Sequence, residues 1–187
     1  MTVLHDPGVD RDTAATTAWE AEPIRIGGLG DPDTLLLSGP GATPAGEDLA
    51  GHITRWGQLP GFDGTQVGAL LRDSRLEGRG GGGFPLSRKV ETARLSPGRP
   101  ILIINASESE PASRKDRVLC SQRPHLVLDG AALVARSLGV DEVIVHAHRG
   151  GASPSGSLSL AIALRSAARL ADPVWRLSEG PDRYVSG

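Results

Sequence analysis

The chain has 187 residues, a formal net charge of −2 and one cysteine, Cys120. That length carries one domain with a proper core and is short for two. The charge removes the electrostatic case for nucleic acid, whose phosphates draw binding from clustered positive charge. A lone thiol excludes an internal disulfide, and any zinc-thiolate or iron–sulfur site built by this chain alone.

Glycine and proline are frequent (25 and 14) and aromatic residues make up only 3%, so the core must be built from Leu, Val, Ile and Ala. The first ten residues, MTVLHDPGVD, lack the basic start and apolar core of a signal peptide. No apolar run approaches the ~20 residues needed to span a bilayer. The expected location is cytoplasmic, with attachment to the periphery of a membrane complex left open.

The opening third is polar and punctuated by Pro and Gly, with no sustained period. DTLLLS at 33–38 reads as a short strand and GPGATPAGED as a loop. This gives a poorly defined N-terminal segment over 1–60 and an α/β domain over 61–187. Asp63, with Gln66 three residues on, is a capping-box relative that starts a helix whose apolar face is Val67, Leu70 and Leu71 and which ends before Gly78. Ile101–Ile104 is a continuous apolar run that predicts a strand buried on both faces of a parallel sheet. From His125 to Leu138 the apolar residues keep helical spacing, and Gly139 is placed to cap the helix. Val143–Val145 predicts a second buried strand, about 157–170 another helix, and Val174–Leu177 a further strand. Strand, helix, strand, helix implies an α/β fold, an open parallel sheet with flanking helices. Cys120 is expected to be a small, semi-buried residue.

Candidate chemistry concentrates between Gly78 and Arg117. The loop GRGGGGFP holds Gly78, Gly80 and Gly83 in GxGxxG spacing, but it follows a helix, whereas a dinucleotide fingerprint follows a strand. A Walker loop fails because no Lys followed by Ser or Thr closes it. Positions without Cβ still let the backbone approach a flat ring or a phosphate with its amides exposed, and Arg79 and Lys89 add positive charge. On its own the loop reads more readily as a flexible linker or an RGG-type segment. Asn105 lies at the C-terminal end of the first strand, where ligands sit in open α/β sheets. Ser107, Glu108, Ser109 and Glu110 follow it, then Arg114, Lys115, Asp116 and Arg117. Such a segment can accept hydrogen bonds from ring N–H groups or ribose hydroxyls, or be a solvated turn.

Taken together, GRGGGGFPLSRK and NASESEPASRKDR resemble the paired signature of the flavin-binding subunit of NADH:quinone oxidoreductase, respiratory complex I. The related flavoprotein subunits of NAD-reducing hydrogenases and NAD-dependent formate dehydrogenases share it. The resemblance is clear over about 67–149, includes the Pro124–His125 pair that opens a helix, and has a weaker echo in the closing GPDRYVSG. It implies a Rossmann-like FMN-binding domain that accepts hydride from NADH, with FMN as cofactor and an iron–sulfur electron-transfer subunit as partner. By the same resemblance Gly78, Arg79, Gly80, Gly81 and Gly83 would wrap the flavin and its phosphate, and Lys89 would approach them. Asn105, Glu108 and Ser109 would hydrogen-bond FMN, while Phe84 and Glu110 would face the nicotinamide nucleotide. No residue is expected to act as acid or base in the hydride step, because the flavin performs it.

The sequence departs from the family pattern at several places. Ser107 stands where the family has Asp, Val90 where it has Trp, and Leu86 and Ser87 where it has Thr-Gly. The family also continues past the position of Gly187 with two glutamates, the rest of the flavin domain, a ubiquitin-like domain and a four-cysteine iron–sulfur bundle. The expectation is therefore a truncated flavin domain without a cluster of its own. The alternative is a non-catalytic remnant or interaction subunit that keeps the fold.

Overall fold

A computed structural model describes residues 46–78, 82–108, 113–149 and 154–181. Among the described residues three helices precede the sheet: α1 (Leu49–Trp56), α2 (Gly64–Asp73) and α3 (Leu86–Leu95). Asp48 caps α1 by accepting from the Gly51 amide at 2.7 Å. Asp63 caps α2 in a complete reciprocal box: its carboxylate takes the Thr65 and Gln66 amides at 2.8 and 2.9 Å, and Gln66 Oε1 takes the Asp63 amide at 2.9 Å. The predicted capping pair is therefore present. The sequence reading missed α1 and α3. Residues 46–57, read as part of the undefined segment, form a capped helix packed on the core. DTLLLS at 33–38 lies outside the described residues.

Next come β1 (Leu102–Ala106), α4 (Lys115–Gln122), α5 (Pro124–Leu138), β2 (Glu142–His148), α6 (Ser155–Ala167) and β3 (Val174–Gly180). The sheet is parallel in the order β1-β2-β3, with Ile104 beside Val145 and Val145 beside Leu177. Helix α5 opens on Pro124, where the missing N–H is no loss, and closes on Gly139 in the left-handed conformation at φ 67°. The core lies on one face of the sheet. Val143, Val145 and Ala147 of β2 meet Leu128, Ala131 and Ala135 of α5 and Leu158 and Ala161 of α6, all essentially without solvent exposure. Each buried Val or Leu there stabilises the fold by about 1.5–3 kcal/mol.

One expectation about the sheet is corrected. The run Ile101–Ile104 is not buried on both faces: Ile101 and Ile103 are 76% and 58% exposed, while Leu102, Ile104 and Ala106 turn inward. Among the described residues the helices pack on one side of the sheet, and β1 lies at one of its edges. An apolar run here carries the alternation of a one-sided strand.

A chain of buried charges crosses the packed layer. The Glu47 carboxylate, 1% exposed, lies 3.2 Å from Arg55, 3.3 Å from Arg123 and 3.5 Å from His52 Nδ1, as ion pairs rather than aligned hydrogen bonds. His52 Nε2 meets Asp129 at 2.8 Å, and the other Asp129 oxygen meets Arg165 at 2.8 Å. Arg165 forks onto Asp172 at 2.6 and 2.7 Å, and Trp175 Nε1 donates to Asp172 at 3.2 Å. The chain ties α1 to the α4–α5 junction, to α5, to α6 and to the start of β3.

Removing one member of a buried ionic set strands the others. Glu47→Gln leaves Arg123, fully buried, without its carboxylate, and the expected loss is about 3–5 kcal/mol in urea unfolding. Asp141→Asn breaks a pair whose side chains are 75% and 89% exposed, and is expected to cost less than about 1 kcal/mol.

His125 gives a pH-dependent term. Burial, then the neighbouring His52 and Arg165, push its imidazole down from 6.5 to about 4. The folded state therefore keeps this ring neutral where the unfolded chain would protonate it. The contribution is complete above about pH 6.5 and is lost as the pH falls towards 4, to the extent of ~3 kcal/mol. Denaturant midpoints measured from pH 7 to pH 4.5 should fall less steeply for His125→Gln than for the wild type.

Candidate functional site

The glycine loop is closed at its base by a short antiparallel bridge. Glu77 pairs with Pro85, the Gly78 amide donates to the Phe84 carbonyl at 2.9 Å, and the Leu86 amide donates to the Leu76 carbonyl at 2.8 Å. The chain thus leaves α2, makes its excursion and returns directly into α3, whose first turn carries Lys89. A Cβ built on Gly78 would lie 4.0 Å from Lys89 Nζ and 3.5 Å from the Phe84 carbonyl, so Gly78, Phe84 and Lys89 form one group. Gly83 sits at φ 56°, in the left-handed region, and a Cβ at Gly82 would meet nothing within 4 Å among the described residues. The Phe84 ring is half exposed. Arg79, Gly80 and Gly81 lie outside the described residues.

The second group grows from the C-terminal end of β1. Asn105 is exposed on the open face of the sheet, and its Oδ1 accepts from the Ser107 amide at 3.0 Å, an Asx turn that bends the chain out of the strand. Ser107 is 2% exposed, and its hydroxyl has no partner among the described residues. Glu108 reaches the start of α4, where Oε2 accepts the Asp116 amide at 2.7 Å and Oε1 takes Lys115 at 2.9 Å. Arg114, the residue before α4, supplies no side-chain cap, so Glu108 fills that role from outside the helix. Burial alone would raise the Glu108 carboxyl, but hydrogen bonds from Ser113, Lys115 and the Asp116 amide hold it below its ordinary value. Lys115 is raised, first by its bond to Asp116 and then by that to Glu108. Asp116 is raised by burial and by the charge of Glu108. Ser109 and Glu110 lie outside the described residues.

Among the described residues no hydrogen bond or ion pair joins the two groups. The structure adds residues that the sequence reading passed over. Asn105, His146 and Ser178 are register partners across the three strands, and His146 Nδ1 lies 3.2 Å from Ser178 Oγ. His148, two residues on, comes within hydrogen-bonding distance of the Glu108 and Pro181 carbonyls. The signal lay in the period of two: an HAH triplet after VIV puts both histidines on the face opposite the buried valines. Helix α4 was also missed, because KDRVLCSQ carries no clear apolar stripe.

Cys120 is 4% exposed and its thiol is pushed up to about 12, by burial first and then by Asp116 and Glu108, so it is an inert packing residue. Among the described residues no group of His, Cys, Asp or Glu could hold a metal ion, and no helix is long and apolar enough to cross a membrane.

The donor set suits a phosphate-bearing ring system such as FMN. Ser107 offers a buried hydroxyl without a partner among the described residues, Asn105 an exposed amide, the loop bare backbone at Gly82, and Lys89 a cation beside Gly78. Residues 71–187 match the family model of the Nuo51 FMN-binding domain, across both the glycine loop and the Asn-Ala-Ser turn. The chain belongs to that family. It is 37% identical over 94 residues to an NADH-quinone oxidoreductase subunit of Aquifex aeolicus (strain VF5), covering 50% of this chain and 22% of the relative. It is 32% identical over 126 residues to an NADH-quinone oxidoreductase subunit of Rhizobium meliloti (strain 1021), covering 67% and 28%. Its fold is similar to that in a crystal structure of NAD+-reducing NiFe hydrogenase in the air-oxidized state. There the TM-score is 0.57 and the identity 29%, over 66% of this chain and 22% of that one. This chain thus spans about a quarter of the length of the curated relatives it matches. It is a portion of a complex I 51 kDa-type flavoprotein fold, with the parallel sheet and flanking helices expected.

Glu108 is the keystone of the second group. Glu108→Ala is expected to cost roughly 2 kcal/mol, the worth of charge-assisted hydrogen bonds to Lys115 and the Asp116 amide. Lys115→Met, which leaves the bond to the Asp116 amide in place, should cost less than half of that. Paired thermal and urea unfolding curves check the ratio.

Proposed function

We propose that this chain is the FMN-binding module of an NADH dehydrogenase-type flavoprotein. The observation that carries the proposal is the match to the FMN-binding family over 71–187, which takes in both groups of candidate residues. Gly78, Arg79, Gly80, Gly81, Gly83 and Lys89 hold the cofactor from the loop. Asn105, Glu108 and Ser109 hold it from the end of β1. Phe84 and Glu110 face the nicotinamide nucleotide.

When bound, FMN supplies a two-electron acceptor for hydride from NADH. The protein's own part is binding and orientation. Exposed loop amides and Lys89 meet the phosphate's negative charge. Asn105 and the Ser107 hydroxyl offer hydrogen bonds at the sheet's C-terminal edge. Glu108, held ionised, fixes the turn. We assign onward electron transfer to an iron–sulfur electron-transfer subunit. The relatives' designation as subunits agrees with such an assembly.

A second reading, a non-catalytic interaction subunit, is favoured by Ser107, which cannot supply the charge of the family's Asp. The two part at one bench experiment. FMN added to the purified chain should lose fluorescence as it binds, and anaerobic NADH should bleach its absorbance. Asn105→Ala should weaken FMN by about tenfold, the worth of one or two hydrogen bonds. A chain that takes up no added FMN would overturn the first reading in favour of the second.

A further inference from the structure

Helix α4 buries only Cys120 and Gln122, and Cys120 is its one residue in the hydrophobic core. Its first turn carries the groups that hold Glu108, the Asp116 amide at 2.7 Å and Lys115 at 2.9 Å. Its far end meets Gly46 and Glu47, just before α1. There the Glu47 amide donates at 3.0 Å to the carbonyl of Gln122, the last residue of α4. Such terminal carbonyls have no partner within their own helix. Gly46, at φ 79°, lies so close to the same turn that a Cβ on it would run into the Ser121 carbonyl oxygen, so only glycine fits. The Glu47 carboxylate lies 3.3 Å from Arg123, the fully buried residue between α4 and α5. Arg55 and His52 of α1 lie 3.2 and 3.5 Å from that carboxylate, which anchors it to α1.

From this arrangement we infer that Gly46 and Glu47 form a strap that fixes the C-terminal end of α4, and through that helix positions the amide and the ammonium that orient Glu108 on the turn after β1. Glu47 is thereby a positioning residue for the candidate site. The inference deepens the FMN reading and rests on it for the ligand. The coupling of strap to turn is a property of the ligand-free chain.

The mechanical argument turns on how little else holds the helix. Eight residues make a rod about 12 Å long, seated in the core at Cys120 alone. A rod held at one apolar point can pivot, and polar bonds at its two ends are what stop it: Glu47 at one end, Glu108 at the other. When the strap leaves, the Gln122 carbonyl loses its donor and Arg123 loses the Glu47 carboxylate. The end of α4 then relaxes towards water, and the Asp116 amide at the opposite end moves off Glu108. Linkage is reciprocal, so a ligand that steadies the Glu108 turn also steadies the strap.

The test follows amide exchange and amide proton shifts in the full chain labelled with nitrogen-15. Glu47 reports the strap, Asp116 the turn, and Val145, in the core of β2, global opening. Gly46→Ala forces the strap away from Ser121 and leaves Glu47 and Glu108 in place. Without ligand it should quicken exchange at both Glu47 and Asp116 by roughly tenfold, within the range for coupling through packed elements, while Val145 changes less. The Asp116 proton should move upfield as its bond to Glu108 lengthens. Asp48→Ala removes the cap of α1 and keeps the strap's own residues. It is the milder variant should Gly46→Ala fail to fold, and it should quicken the same two amides together. FMN should bind about tenfold more weakly to the strap variant, and FMN added to the wild type should slow exchange at Glu47 beyond any change at Val145. An Asp116 amide that stays as in the wild type while Glu47 exchanges freely would overturn the strap's hold on the turn, whether or not FMN binds. Amides that loosen together while FMN affinity stays level would overturn its role at the site. If FMN binds neither protein the proposed function falls, and the ligand-free comparison of Glu47 with Asp116 still decides the strap.

Discussion

The structure depends on one buried arrangement of charge, the chain from Glu47 through His52, Asp129 and Arg165 to Asp172. Taking these groups out of water is costly, and their mutual attraction offsets that cost only when every member has a partner at close range. Such an arrangement contributes less to net stability than an apolar core of equal volume. What it does is fix geometry. Helix α1 has one fully buried residue of its own, His52, with Leu49 and Ile53 half-buried beside it. The ion pairs of Glu47 and His52 determine where it sits on α5, and the fork of Arg165 onto Asp172 determines how the chain enters β3.

That constraint reaches the candidate site through the sheet. The buried core of Val143, Val145 and Ala147 locks β2 against α5 and α6, and parallel pairing then brings the C-terminal ends of all three strands to one edge. Asn105, His146 and Ser178 form a row there because register makes them neighbours. The chemistry is placed by the strands, and the turns that follow them are held by local bonds: the Asx turn at Asn105, Glu108 at the start of α4, and the two contacts of His148. Each bond is modest in free energy, so the edge is the part of the fold most open to being set by a ligand.

What was legible in the sequence was local or strongly periodic. Asp63 with Gln66, Gly139 after a helical stripe, and the valines of β2 each announce themselves within a few residues. Helices α1, α3 and α4 did not, because LAGHITRW, LSRKVETARL and KDRVLCSQ bury one or two residues apiece and owe their helicity to tertiary contacts. The face of β1 was misread for a related reason. Composition records that Ile101 and Ile103 are apolar, but whether a helix covers them is decided elsewhere in the fold. The ion chain joins positions such as His52 and Asp129, 77 residues apart, and no spacing rule connects them. The paired motifs of the candidate site were legible as motifs, whereas His148, within hydrogen-bonding distance of the Glu108 carbonyl, was hidden inside an ordinary strand.

Ser107 shows how site and fold are joined. A hydroxyl buried to 2% exposure with no partner among the described residues costs about 1–3 kcal/mol relative to the same group satisfied. Packing does not account for it, since alanine would fill nearly the same volume without the cost. The Asx turn fixes its backbone through the Ser107 amide, so the hydroxyl cannot move to solvent without breaking the exit from β1. An atom that supplies a partner to Oγ would therefore also hold the turn in place. A ligand atom at that point would tighten the turn and bind more strongly for the same reason, so ordering of the sheet edge and binding there would be linked.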